Sequence, residues 1–241
     1  MQALEARHLA DLTFPEVSRA LRALSSAYVE RRGRLGEGTA LAGAGKRAAF
    51  ALFYGPLHYL LVREIVRALP GATHPGETLV DLGCGTGAAG AAWAAACSRS
   101  PTVIGIDRHP WTLAEAAATY REFRLAARTH QGDAARVALP KGPCATLAAF
   151  TLNELPEASR DALMARLLDR HRPGDRVLIV EPIAGSIVPW WGRWREAFVA
   201  AGGRADEWRI RVELPAMVAK LDKAAGLNHR ELTGRSLWLQ T

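Results

Sequence analysis

The stretch Leu79-Val80-Asp81-Leu82-Gly83-Cys84-Gly85-Thr86-Gly87-Ala88-Ala89-Gly90 decides the reading of this 241-residue chain. The apolar run from Thr78 to Val80 predicts a buried strand, and the alanine-rich Ala88 to Cys97 predicts a helix. The glycines between them therefore occupy a strand-to-helix turn. Glycine reaches backbone conformations closed to other residues, so the main chain of such a turn can approach a ligand closely. The helix that follows begins with N–H groups that have no partner inside the helix.

Gly85, Gly87 and Gly90 also satisfy G-x-G-x-x-G, the pattern of dinucleotide-binding turns. Asp81, two residues before the first glycine at the strand end, separates the alternatives. A carboxylate there disfavours a pyrophosphate and suits an ammonium group, such as the one on the methionine half of S-adenosylmethionine. Asp81 to Gly87, DLGCGTG, resembles the first motif of class I S-adenosylmethionine-dependent methyltransferases. The resemblance implies an α/β, Rossmann-like doubly wound sheet of seven strands. It implies S-adenosylmethionine as cofactor, S-adenosylhomocysteine as product, and cofactor contacts from Asp81, Gly83, Cys84, Gly85 and Gly87.

The next apolar run, Pro101 to Asp107, ends in an acidic residue about 20 positions beyond the glycines, where a carboxylate accepts hydrogen bonds from ribose hydroxyls. Asp107, with Arg108 beside it, is the expected ribose site. Trp111 either packs beside the adenine or fills the core under the next helix. Gly132-Asp133 matches the place where the superfamily sets an aspartate near the adenine amino group. Ala145 to Leu152 predicts a further strand, closed by Asn153-Glu154-Leu155-Pro156. Strand ends on this edge of a doubly wound sheet face the ligand crevice. Asn153 and Glu154 are therefore the catalytic candidates, and Asn153 also borders the cofactor. Val177 to Val180, ending in Glu181-Pro182, is another buried strand. Helical stretches at 113–127 and 157–170 alternate with the strands, as parallel βαβ units require.

The length suffices for a full core. Hydrophobic residues make up 49% of the chain, with no run of 18 apolar positions, so no membrane span is expected. The first residues lack a basic segment followed by an apolar one, so no secretory leader is expected. Three cysteines, Cys84, Cys97 and Cys144, show neither disulfide parity nor metal-site spacing. A cytoplasmic protein without a metal is the simplest expectation.

Residues 1–69 read as a helical extension or lid and residues 70–241 as the Rossmann-like domain. Apolar positions Phe14, Val17, Leu21, Leu24 and Tyr28 recur at helical spacing. A glycine-rich break from Gly33 to Gly45 follows, then helical stretches at 46–54 and 57–69 around Gly55-Pro56. GAGKR at 43–47 lacks the first glycine and the Ser/Thr of a phosphate-binding loop and reads as linker. Tyr54 and His58 either look into the substrate site or, like Tyr59, serve the core.

Charge is uneven. Residues 1–69 hold 10 basic and 6 acidic side chains, residues 70–181 hold 12 of each, and residues 182–241 hold 9 and 6. The net +7 thus lies in the flanks, which points to an anionic partner such as RNA. Only four of the 31 cations are lysine, so the bias also fits arginine-rich composition alone. Trp190, Trp191 and Arg193 belong to PWWGRWR, where tryptophans alternate with arginines. Such a cluster either stacks on bases or forms a helix packed on the sheet. Strands at 207–214 and 236–240, with a helix at 215–225 between them, complete the sheet.

YVERR, AFALFYGPLHYLLVREIVRAL, AAWAA, FTLNELP and VLIVEP together resemble, more loosely, the methyltransferase-like family of the small ribosomal subunit. That resemblance implies a partner in ribosomal RNA or the small subunit. The family's cysteine cluster is missing from this chain. No N-P-P-[YF] tetrapeptide follows the fourth strand, and Cys144 precedes that strand, which argues against a covalent pyrimidine mechanism. Three functions remain: an RNA methyltransferase, expected first; a small-molecule methyltransferase with a helical lid; and a non-catalytic assembly factor that binds S-adenosylmethionine.

Overall fold

A computed structural model describes residues 1–30, 41–170, 172–184 and 188–240. The glycine-rich break expected from residue 33 lies outside the described residues up to position 40.

Seven strands form one sheet: β1 (Thr78–Leu82), β2 (Thr102–Asp107), β3 (Ala127–Gln131), β4 (Ala145–Ala149), β5 (Arg176–Glu181), β6 (Arg204–Ile210) and β7 (Leu232–Gln240). Their order is β3-β2-β1-β4-β5-β7-β6. The first five pair in parallel, and β7 runs antiparallel to both β5 and β6. From β1 the chain moves outward through β2 and β3, then returns to the other side of β1 to lay down β4 and β5. The order reverses between β1 and β4, where the carboxyl ends of the strands open a crevice.

Burial explains the central strands. β1 carries Leu79, Val80 and Leu82 between two neighbours, and all three are buried, as a strand covered on both faces requires. Helix α5 (Ala88–Ala96) is buried over Ala88 to Ala94. A helix apolar on every side belongs inside. Its Trp93 packs edge-on against Trp238 and donates its indole N–H to the Ala72 carbonyl at 2.7 Å. Helix α6 (Pro110–Glu122) starts three residues before the expected position. Pro110 occupies its first turn, and the His109 ring accepts the Trp111 N–H as a cap.

Two boundaries differ from the sequence reading, and one strand was not expected, for physical reasons. β4 stops at Ala149, because Phe150 adopts φ +57° and turns the chain into a short 3-10 segment at Leu152–Glu154. β6 lies at 204–210 and not 207–214. It is an edge strand reading RADEWRI, with side chains half-buried or exposed, so it lacks the apolar run that marks a buried strand. β3, on the opposite edge, is polar for the same reason and carries Arg128 and His130; polar edges discourage pairing with other chains.

By compactness the chain divides into two units, Met1–Leu57 with Arg211–Glu231, and His58–Ile210 with Leu232–Thr241. The expected boundary at residue 69 differs from this division: residues 211–231 join the first unit, and most of α4 (Gly55–Ala68) joins the second. The first unit holds α1 (Gln2–His8), α2 (Phe14–Glu30), α3 (Ala44–Ala49), a π-helical segment at Phe50–Tyr54, and α9 (Ala216–Ala224). Glu16 reaches back to the Thr13 N–H at 2.7 Å and so caps α2, whose Val17, Leu21 and Leu24 are fully buried. Gly43 precedes α3, so GAGKR becomes mostly the start of a helix and not a linker. The second unit holds the sheet with α5, α6, α7 (Glu157–Asp169) and α8 (Trp191–Ala200). Among the described residues no helix is long and apolar enough to cross a membrane.

Candidate cofactor and acceptor site

After β1 the chain makes the glycine turn with Gly83, Gly85 and Gly87 at φ +65°, +52° and +75°. These are left-handed conformations that side chains resist. The turn is held by its neighbours. Cys84 N–H donates to the Ile106 carbonyl at 2.9 Å, and Gly87 N–H to the Cys84 carbonyl at 2.7 Å. At the end of β2, Asp107 accepts the Gly85 N–H on Oδ2 and the His109 N–H on Oδ1, each at 2.9 Å. Two residues 22 positions apart in sequence are thereby brought into one site.

Asp81 sits behind the turn and is 1% exposed. Its Oδ2 accepts the Gly90 N–H at 3.0 Å and the Tyr120 hydroxyl at 3.3 Å. Burial pushes its carboxyl up to about 7, against the pull of those two hydrogen bonds, and Asp107 adds to the rise. Cys84 is buried, and its thiol is pushed up by the same loss of solvation. The Gly132 N–H donates to the Asp107 carbonyl at 2.9 Å, which sets Asp133 beside Arg108, 2.9 Å from its guanidinium. Burial alone would raise the Asp133 carboxyl, but the Ala135 N–H and Arg108 bring it below its ordinary value. Asp81, Cys84, Asp107, Arg108 and Asp133 thus share one end of β1, β2 and β3.

The end of β4 adds the second half. Thr151 places its hydroxyl within 3.1 to 3.2 Å of the carbonyls of Leu82, Gly83 and Ala149, joining the segment after β4 to the glycine turn. Glu181, at the end of β5 and fully buried, accepts the Leu152 N–H at 2.8 Å and the Asn153 side-chain amide at 2.7 Å. Its carboxyl rises to about 8; burial drives the rise, the Leu152 N–H opposes it, and Glu154 adds to it. Asn153 Oδ1 accepts the Trp190 indole N–H at 3.3 Å. Glu154 is exposed, yet its carboxyl also rises to about 7, through loss of solvation first and the charge of Asp107 second, with Arg108 opposing. His58 stacks on Phe150 at 4.0 Å, and burial lowers its imidazole to about 4.

The other expected substrate residues fare differently. Tyr54 is half-buried in the helical unit, with its ring against Phe50 and Phe53. Trp190 and Trp191 are each 7% exposed, and Trp194 is 0% exposed and stacks on Phe198. All three belong to the core between α8 and the sheet. The arginine-interleaved pattern is therefore the face of a packed helix, and base stacking by Trp191 is corrected: its ring lies under the Arg235 guanidinium at 5.0 Å. Arg193 is exposed and pairs with Asp161. Glu181, Thr151, Tyr120 and Arg160 were not singled out from sequence. The one available sign was a glutamate closing the apolar run VLIVE, a placement that burial makes costly unless partners wait there.

Residues 79–174 match a protein-family profile described as a methyltransferase domain. This stretch carries a methyltransferase domain. The malonyl-[acyl-carrier protein] O-methyltransferase of Serratia marcescens is 31% identical over 130 residues, which cover 52% of this chain and 46% of that protein. The chain thus matches about half the length of this relative. In fold, the methyltransferase domain resembles the mitomycin 7-O-methyltransferase MmcR, with a TM-score of 0.57 and 15% identity, over 99% of this chain and 71% of that one. It also resembles human N-acetylserotonin methyltransferase in complex with SAM, with a TM-score of 0.54 and 17% identity, over 94% and 66% of the two chains.

The methyltransferase domain fits its cofactor on its own chemistry. Three left-handed glycines keep the turn bare, and carboxylates at the ends of β1 and β2 match a cationic ammonium and a pair of ribose hydroxyls.

Proposed function

We propose that the chain transfers a methyl group from S-adenosylmethionine to a small molecule. The observation that carries this reading is the burial of Trp190, Trp191 and Trp194, which removes the base-stacking surface and leaves the basic flanks as the one sequence feature pointing to RNA. The relatives named above support it, since two are named for mitomycin and N-acetylserotonin and the third for a malonyl group carried on an acyl-carrier protein.

In this reading Asp81 faces the cofactor's ammonium through the oxygen turned from Gly90, and Asp107, flanked by Arg108, takes the ribose. Asp133 and Gly132 border the adenine, and Gly83, Cys84, Gly85 and Gly87 supply the bare main chain. The bound cofactor supplies a methyl group on a sulfonium, open to displacement by a nucleophile in line behind it. The chain's own part is then mostly placement and charge control. Asn153 orients the acceptor by hydrogen bonding, and His58 on Phe150 offers a flat wall beside it. Glu154, with a carboxyl near 7, takes the acceptor's proton, since a base works best when its pKa lies near the working pH.

The test is partition of label. Purified protein with methyl-labelled S-adenosylmethionine is given total RNA in one reaction and a protein-free small-molecule extract in another. Label in the extract alone is expected; label in RNA alone restores the RNA reading.

A further inference from the structure

The segment after β4 is gripped from two sides. Arg160 donates to the carbonyls of Leu152 and Leu155 at 3.3 and 3.2 Å, while Glu181 takes the Leu152 N–H on one oxygen and the Asn153 amide on the other. A fully buried carboxyl group that receives an N–H on each oxygen is held there by those donors, because a buried polar group without partners forfeits its hydration. The Asn153 amide has a second partner of opposite character. The Trp190 indole can only donate, and it meets Oδ1, whereas both Glu181 oxygens already accept. Rotating the amide by half a turn would set its N–H against the Trp190 N–H, which has no means of accepting. Trp190 is itself fixed, packed on Trp194 at 5.3 Å with the Arg160 guanidinium 5.0 Å over its ring.

We propose that Glu181 is a positioning residue for methyl transfer: together with Trp190 it locks the Asn153 amide in one orientation and one place. One Nδ2 hydrogen is committed to Glu181, so the second is left as a donor of fixed direction. Such a donor selects acceptor molecules that present an oxygen lone pair, as a carbonyl, carboxylate or phenolate does, beside the atom to be methylated. This inference rests on the proposed placement of the acceptor at Asn153, and the experiment separates the two.

Glu181→Gln keeps the volume but leaves one accepting oxygen where the Leu152 N–H and the Asn153 amide each use one. Transfer of labelled methyl into the small-molecule extract should fall at least tenfold, while S-adenosylhomocysteine affinity stays within twofold. Asn153→Ala should lower transfer as much, and adding Glu181→Gln to it should change the rate by less than twofold. In the ¹⁵N spectrum the two side-chain amide protons of Asn153, assigned by their loss in Asn153→Ala, should lie far apart in the native protein and converge in Glu181→Gln. An unchanged Asn153 amide, or a Glu181→Gln loss that persists in full on the Asn153→Ala background, overturns the role of Glu181. Full transfer by Asn153→Ala with a converged amide spectrum instead removes the acceptor from Asn153 and leaves Glu181 as its holder. If Glu181→Gln does not fold, Trp190→Phe, which removes the indole N–H and keeps an aromatic ring, must shift the same amide resonances or the lock is refuted.

Discussion

Thr151 occupies the space that a side chain on Gly83 would need. A Cβ built at Gly83 would lie 2.3 Å from Thr151 Cγ2, and the Thr151 hydroxyl is 3.2 Å from the Gly83 carbonyl. The cofactor turn and the segment bearing Asn153 are thus packed as one piece. Gly83→Ala must accept both a left-handed backbone at φ +65° and this overlap. The combined loss should be about 2 to 5 kcal/mol, from about 1–2 for the backbone and about 1–3 for overpacking. Gly142, with open space around it and no positive φ, is the control, and Gly142→Ala should stay within about 0.5 kcal/mol. Urea denaturation of the two variants checks the difference. Adding Thr151→Ala to Gly83→Ala should recover the overlap part and leave the backbone part.

The α8 cluster should behave as core. Trp194→Ala should lower stability by about 3 to 5 kcal/mol, the range for deleting a large buried aromatic. Arg193→Glu, at an exposed pair with Asp161, should cost no more than about 1 kcal/mol. Urea midpoints decide this. Native-like stability of Trp194→Ala, together with a loss of RNA binding, would return the cluster to the role first read from its sequence.

Most of the second unit was legible because its chemistry is periodic and local. The glycine turn, Asp107 and Gly132-Asp133 sit at strand ends whose apolar runs mark them, and the structure brings them together. Edge strands β3 and β6 were missed or shifted because half-exposed strands carry no apolar run. The tryptophan cluster misled because residue type alone does not say which face of a helix is buried. Glu181 and Thr151 stayed silent for a different reason: their importance lies in contacts 29 and 68 residues distant, with Leu152 and with Gly83.

Asp81 makes the sign of one pH effect testable. Its folded carboxyl lies near 7 and an unfolded aspartate near about 3.9, so the folded state keeps a proton that the unfolded chain releases in between. The stability contributed by this group is complete below about pH 4 and is lost as pH rises through about 7. Asp81→Asn should remove that slope in urea denaturation. If Asp81 meets the cofactor's ammonium, binding of S-adenosylhomocysteine favours the carboxylate. Calorimetry at pH 6 in buffers of different ionisation enthalpy should then show proton release that is absent at pH 8. No release at either pH would detach Asp81 from the ammonium.

Glu154 gives the activity profile. A carboxyl near 7 that accepts a proton works in its ionised form, so methyl transfer should rise with pH through about 7. Glu154→Gln should abolish that limb and lower the plateau, with S-adenosylhomocysteine affinity unchanged within twofold. An unaltered profile in the variant assigns the limb to another group.

Calorimetric titration of the purified protein with S-adenosylhomocysteine, with NADH, and of Asp107→Ala with S-adenosylhomocysteine tests the site most directly. One molecule of S-adenosylhomocysteine should bind, NADH should give no heat of binding, and Asp107→Ala should bind about 1 to 3 kcal/mol more weakly, the usual loss for hydrogen bonds to a charged group. Binding of NADH without S-adenosylhomocysteine, or equal affinity in Asp107→Ala, would contradict the assignment of this turn.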